Sequence, residues 1–208
     1  MMVEIRVNTD DVAKQLRWYQ REQLPFATSL ALNTVANDVA ADVTASMDTE
    51  LDKPTPFTKM AFLTKSGKFK GKRSSKHDLK VSIIADPVQA EYLMFQVEGG
   101  IRKPKKQAIL VPTLKAPKDK YGNISRSTRR RYAQPTGTLF HAGERENKQP
   151  GVYKRSRRSV VEMLASYEVQ TEYKPRLNIY ATAAKSVQAN FNRRMVEALR
   201  RALNTMKR

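Results

Sequence analysis

Residues 178–206 read NIYATAAKSVQANFNRRMVEALRRALNTM. Downstream of Pro175, Ala184, Val187, Phe191, Met195, Ala198, Leu199, Ala202 and Met206 recur at helical spacing and form one stripe, while Arg193, Glu197, Arg200 and Asn204 fall on the other side. That spacing predicts a long amphipathic helix with a solvated or partner-facing back. A second helix is predicted from Phe26 to Glu50, where Leu32, Val35, Ala36, Val39, Ala40, Val43 and Met47 share a face and Asp38 and Asp42 fall opposite. Twenty-five helical residues make a rod of about 37 Å. Pro54 and Pro56 end it, since proline lacks the amide donor and clashes with the preceding turn. Two such helices bracketing a mixed middle predict an α+β fold. The expectation is one domain over residues 1–208, a mainly antiparallel sheet flanked by the helices near 26–50 and 178–206, with basic loop insertions at 65–80 and 112–137.

The remaining elements follow from shorter signals. Residues 2–7 (MVEIRV) alternate like a strand. A helix opens near Asn8 or Thr9, with Asp10 and Asp11 at the positive end of its dipole, and Pro25 should break or kink it. Lys59–Thr64 and Leu79–Ala85 read as strands flanking the basic GKFKGKRSSK connection. Pro87 opens a short helix to Val97, stopped by Gly99 and Gly100, which let the backbone turn without a Cβ penalty. Gln107–Val111 is a strand candidate; Val160–Gln170 reads as helix or strand, its β-branched start and alternating end favouring a strand.

Charge narrows the functional classes. The 208 residues hold 39 Lys and Arg against 20 Asp and Glu, a formal net charge of +19. Residues 1–52 contain nine acids and four bases, so the excess lies downstream. The block 102–131 has eleven bases and one acid, Asp119, and the block 65–80 has seven bases and one acid, Asp78. A chain this basic calls for a negative partner, either nucleic acid or an acidic subunit. The basic blocks lack the apolar face of an interfacial helix, so a membrane partner is not expected. No apolar run approaches the roughly 20 residues that span a bilayer, and the first residues lack a signal-peptide core, so synthesis and assembly in the cytoplasm are expected.

Enzyme signals are weak throughout. The absence of cysteine excludes disulfides, zinc fingers and thiol nucleophiles. GKFKGKR (67–73) departs from a phosphate-binding loop, with three residues between its glycines and Arg73 where a hydroxyl belongs. His77 beside Asp78 has no activated nucleophile, His141 reads as structural or exposed, and Glu144 and Glu146 sit two apart in a polar loop. No enzyme, no cofactor and no metal site are expected. The contact set for DNA or an acidic partner is Arg102, Lys103, Lys105, Lys106, Arg126, Arg129, Arg130 and Arg131. Tyr121 and Tyr132 lie beside them as rings for stacking. No helix-turn-helix, RRM or zinc pattern accompanies these residues, so sequence-specific readout is not expected.

Five segments in order resemble one family. FATSLALNTVA (26–36) is similar to the F-x-x-x-x-A-L-N-x-x-A opening helix of bacteriophage minor tail protein Z and related tail-completion proteins. FQVEGGIRKPKKQAILVP (95–112), KYGNISR (120–126), GVYKR (151–155) and YKPRL (173–177) resemble its later elements. The resemblance implies a structural virion protein of a long-tailed phage, at the proximal end of the tail or the neck. Its relatives help to join tail to head and let DNA pass, and they work as rings or small multiples. The partners implied are tail terminator, tail tube or head–tail connector subunits, with phage genomic DNA met non-specifically. A sequence-nonspecific DNA-binding protein and a tail-assembly chaperone are the alternatives.

Overall fold

Helix-favouring residues with few interruptions carry the chain from Thr9 to Glu50 almost without a break. The computed structural model describes residues 9–104, 108–143, 149–156 and 160–206. The strand expected at 2–7, the start of the one at 107, and Lys105, Lys106, Glu144 and Glu146 lie outside the described residues. Helix α1 (Thr9–Trp18) runs into a π-helical turn (Tyr19–Gln23) and then α2 (Leu24–Glu50). Pro25 therefore does not break the helix. The turn before it widens, with the Leu24 N–H donating to the Tyr19 carbonyl five residues back. A widened turn is a recognised way of accommodating the bond that proline cannot make.

The chain then continues through α3 (Pro56–Lys59), β1 (Gly71–Lys72), β2 (Ser82–Ile83), α4 (Pro87–Val97), β3 (Gly100–Arg102), β4 (Ile109–Pro112), α5 (Arg126–Ala133), β5 (Leu139–Ala142), β6 (Gly151–Arg155), β7 (Val161–Glu168), β8 (Thr171–Tyr173) and α6 (Ile179–Met206). This is an α+β fold with two long helices and antiparallel sheets. The predicted helices at 26–50, 87–97 and 178–206 and the strand at 160–170 are present. Where the sequence reading takes residues 1–208 as one domain, the chain sorts into two compact units, each assembled from discontinuous stretches.

The first unit comprises Met1–Met47, Phe57–Ala90 and Asn178–Arg208. Its centre is a small-residue contact between α2 and α6, where Ala27, Ala31, Ala198 and Ala202 are buried and Leu30, Met195 and Leu199 close around them. Val35, Ala36, Val39, Ala40, Val43 and Met47 continue the buried face of α2 as expected. The stripe of α6 is buried only in part, since Ala184 and Val187 are exposed. Asp38, expected on the solvated side, instead receives a two-pronged bond from Arg194, Nε to Oδ2 at 2.8 Å and Nη2 to Oδ1 at 2.9 Å. Both side chains are about three-quarters buried, and Glu197 takes the third donor of Arg194 at 3.0 Å. Asp38→Ala should cost roughly 2 kcal/mol, between an exposed pair and a fully buried one, because Arg194 keeps Glu197. Urea unfolding checks this, and Asp42→Ala serves as the control.

The middle of this unit departs most from expectation. Residues 59–64 form no strand; a helical turn occupies Pro56–Lys59, and Leu63 makes only an isolated bridge to Phe69. Pairing moves into the basic connection itself, with Gly71 opposite Ile83 and Lys72 opposite Ser82. Nor is 65–80 a free loop. Asn33 on α2 grips the Ser74 backbone from both sides, Nδ2 donating to its carbonyl at 2.9 Å and Oδ1 accepting its N–H at 3.0 Å. Asn37 Oδ1 accepts from the Phe69 N–H, and the Phe69 ring is buried. Four of the segment's seven cations find partners within the unit: Lys70 with Asp86, Lys72 with Asp78, Lys76 with Glu22, and Arg73 over the Phe69 ring.

Hydrogen bonds from Lys76 to Glu22 and from Lys72 to Asp78, reinforced by their charge, hold both carboxyls below the usual range. A lowered folded pKa means that this contribution is present above the ordinary carboxylate value, near 4, and is lost as pH falls through the lowered one. Acidification across that window should reduce amide protection in 65–80 severalfold while leaving mid-α2 amides unchanged. Hydrogen exchange followed by NMR measures it; equal loss in both would show that the segment is not held by these pairs.

The second unit comprises Asp48–Pro56 and Glu91–Leu177. Its main sheet has the order β4-β7-β6-β5, every pair antiparallel. Val152, Leu164 and Ala165 from the sheet bury against Ile124, Tyr132 and Leu139, with Leu110 and Tyr167 alongside. A two-stranded sheet pairs β3 with β8. Gly99 and Gly100 do take positive φ, 75° and 108°, and a Cβ at Gly99 would press on the Tyr173 carbonyl and the Pro175 ring. The segment 112–137, expected as a loop, contains α5 and contributes Ala116, Ile124 and Tyr132 to the buried set.

Candidate anion-binding surface

The second unit shapes its cations through one carboxylate. Asp119, the only acid among residues 102–131, accepts the N–H groups of Tyr121 and Asn123 at 2.9 Å each. Gly122, at φ 81°, completes that turn, which a side-chain carboxylate stabilises by mimicking a backbone acceptor. Three residues on, Ser125 caps α5, its Oγ accepting the Thr128 N–H at 3.1 Å. The cap starts a two-turn helix, RSTRRRYA, whose Tyr132 side is buried and whose Arg126, Arg129, Arg130 and Arg131 are exposed. Arg130 and Arg131 lie in the last turn, where the helix dipole favours positive charge.

Beside α5 lies a cleft of about 760 Å³. Arg102 at the end of β3, Lys103 after it and Arg129 on α5 reach its wall, against one carboxylate, Glu91; Met94, Phe95, Ile109 and Leu110 supply apolar lining. Phe95 is braced by the Tyr173 ring, centroids 5.8 Å apart. Of the expected contact residues, the cleft brings together Arg102, Lys103 and Arg129; Arg126, Arg130 and Arg131 stand outside it. None of these six lies within ion-pair distance of a carboxylate among the described residues. Lys115 differs: it binds Glu162 at 2.8 Å and thereby lowers that carboxyl's pKa.

The aromatic part of the expectation is corrected. Tyr132 is 3% exposed, too buried to stack on a base, and burial raises its hydroxyl pKa. Tyr121 carries Lys120 over its ring at 5.1 Å. His141 is exposed, and its Nε2 donates to the Tyr132 carbonyl at 2.7 Å. Among the described residues no group of three or more His, Asp or Glu is placed to hold a metal ion, and no helix is long and apolar enough to cross a membrane. The chain matches no protein-family model, no curated protein and no solved structure.

Proposed function

We propose that this chain is a structural subunit of a long-tailed bacteriophage particle. It completes the proximal end of the tail or the neck, in several copies, and helps to join tail to filled head while DNA passes. The ordered resemblance across residues 26–205 supports the phage setting. The observation that carries the electrostatic part is the division of charge: the cations Lys70, Lys72 and Lys76 are neutralised within their own unit, whereas those of α5 and the β3 end have no described carboxylate partner. Charge left open in this way needs an external anion. Passing DNA supplies phosphates without asking for base readout, which suits a surface of arginines on which a duplex must slide.

Electron microscopy of particles assembled with and without the subunit tests the reading. Heads and tails that accumulate unjoined, or joined particles that fail to deliver DNA, support it. Normal joining and delivery without the chain overturn it, and absence of the chain from mature particles makes it an assembly chaperone instead.

A further inference from the structure

We propose that the cleft of the second unit is a groove for an extended acidic segment of a neighbouring protein, which adds to β4 as a further strand. This deepens the reading above, resting on it only for the neighbour being a fellow subunit of the particle.

Among the described residues β4 is an edge strand of its sheet. Thr113 donates its N–H to the Leu164 carbonyl, so by antiparallel alternation residues 109, 111 and 113 bond towards β7. Ala108, Leu110 and Pro112 therefore turn their backbone groups the other way, and all three line the cleft. An open edge of this kind recruits an extended chain through main-chain bonds, and pockets for alternate side chains then set specificity. Pro112 has no N–H to offer, which limits the new ladder to its upstream end. Side chains must supply the rest. Successive residues of a strand face opposite ways, so an incoming segment that alternates apolar with acidic residues sets one series on Met94 and Phe95. The other series faces Arg102, Lys103 and Arg129.

The same features disfavour a duplex in this place. DNA has no apolar side chains to cover Met94 and Phe95, and a cleft of about 760 Å³ is in the range of single-ligand pockets, roughly 300–1,000 Å³. The arginines split accordingly: Arg126, Arg130 and Arg131, outside the groove, remain for phosphate.

The test uses the full chain and a fluorescein-labelled octapeptide of alternating valine and glutamate, read by anisotropy, with the valine–lysine octapeptide as control. Lys103→Glu/Arg129→Glu should weaken the valine–glutamate peptide at least tenfold, while Arg126→Glu/Arg130→Glu changes it less than threefold. Hydrogen exchange should slow at Leu110 when the peptide binds. A short duplex DNA, measured in parallel, should respond more strongly to the Arg126/Arg130 pair. The proposal fails if the lysine peptide binds as well, if both variant pairs weaken the acidic peptide equally, or if Leu110 exchange does not change. Protection of Leu110 in the free protein, lost on dilution, overturns it in favour of a second copy of this chain. An unaltered chain that binds DNA but not the valine–glutamate peptide defeats this inference alone and leaves the proposed function standing.

Discussion

Gly151→Val is expected to remove most of the stability of the second unit's sheet, about 3 kcal/mol. Gly151 opens β6, which is bonded to β5 on one side and β7 on the other. It sits opposite Ser166, and the register shifts between Val152 and Tyr153. The strands approach so closely here that a Cβ would collide with the Ala165 carbonyl and press on the Ser166 Cα at 3.3 Å. Both obstacles are backbone, so no rotamer change relieves them, and the strands must part. Val152 and Ala165, both fully buried, would part with them. Overpacking of a tight core costs roughly 1–3 kcal/mol, and more when the backbone must move. Gly151→Ala should cost nearly as much, since the Cβ alone makes the collision. Gly122→Ala is the contrast: its φ of 81° strains any Cβ, but nothing stands within 4 Å, so about 1–2 kcal/mol is expected. Urea unfolding ranks the three, and hydrogen exchange at β6 and β7 locates the damage. A Gly151→Val protein within 1 kcal/mol of the parent would contradict the close approach of these strands.

Exchanging Arg126, Arg130 and Arg131 together for glutamine should remove most of the DNA binding. Each phosphate contact contributes about 0.9 to the slope of log affinity against log salt. Three lost contacts reduce the slope by roughly 2.7, a loss of affinity of about five-hundredfold near 0.1 M salt. The side chains are exposed, Ser125 still caps the helix, and glutamine is a good helix former, so circular dichroism should be unchanged. Lys70, Lys72 and Lys76, exchanged for glutamine in the same way, should leave the slope alone because their charges are already met by Asp86, Asp78 and Glu22. Equal loss in both variants would show that net charge, and not the exposed set on α5, governs the interaction. Titration with two duplexes of unrelated sequence at several salt concentrations measures both slopes, and equal affinity for the two is expected.

The long helices were legible because their evidence is local. Apolar residues at steps of three and four from Leu32 to Met47, and prolines just past the end of α2, are contained in the segment that they describe. β7 was legible only in part: its β-branched start and alternating end favour a strand, but a stretch of that length also fits a helix. The hairpin at 59–85 was misplaced because its strands are two residues each, too short for alternation to register, and because what holds the segment is Asn33 and Asn37. Asn33 lies 41 residues from the Ser74 that it grips. Pro25 misled because a widened turn upstream meets its requirement.

The candidate surface divides in the same way. Composition alone establishes that the chain carries a large positive excess concentrated after residue 52, and that residues 102–131 hold one acid for eleven bases. Which of those charges remain available is a property of space. Asp38 and Arg194, 156 residues apart, meet; Asp119 is taken up by its own turn; and four arginines share an eight-residue helix that ends with Tyr132 in the core. Helical period and total charge depend on neighbours in the chain, whereas ion pairing and burial depend on neighbours in three dimensions, and only folding brings those together.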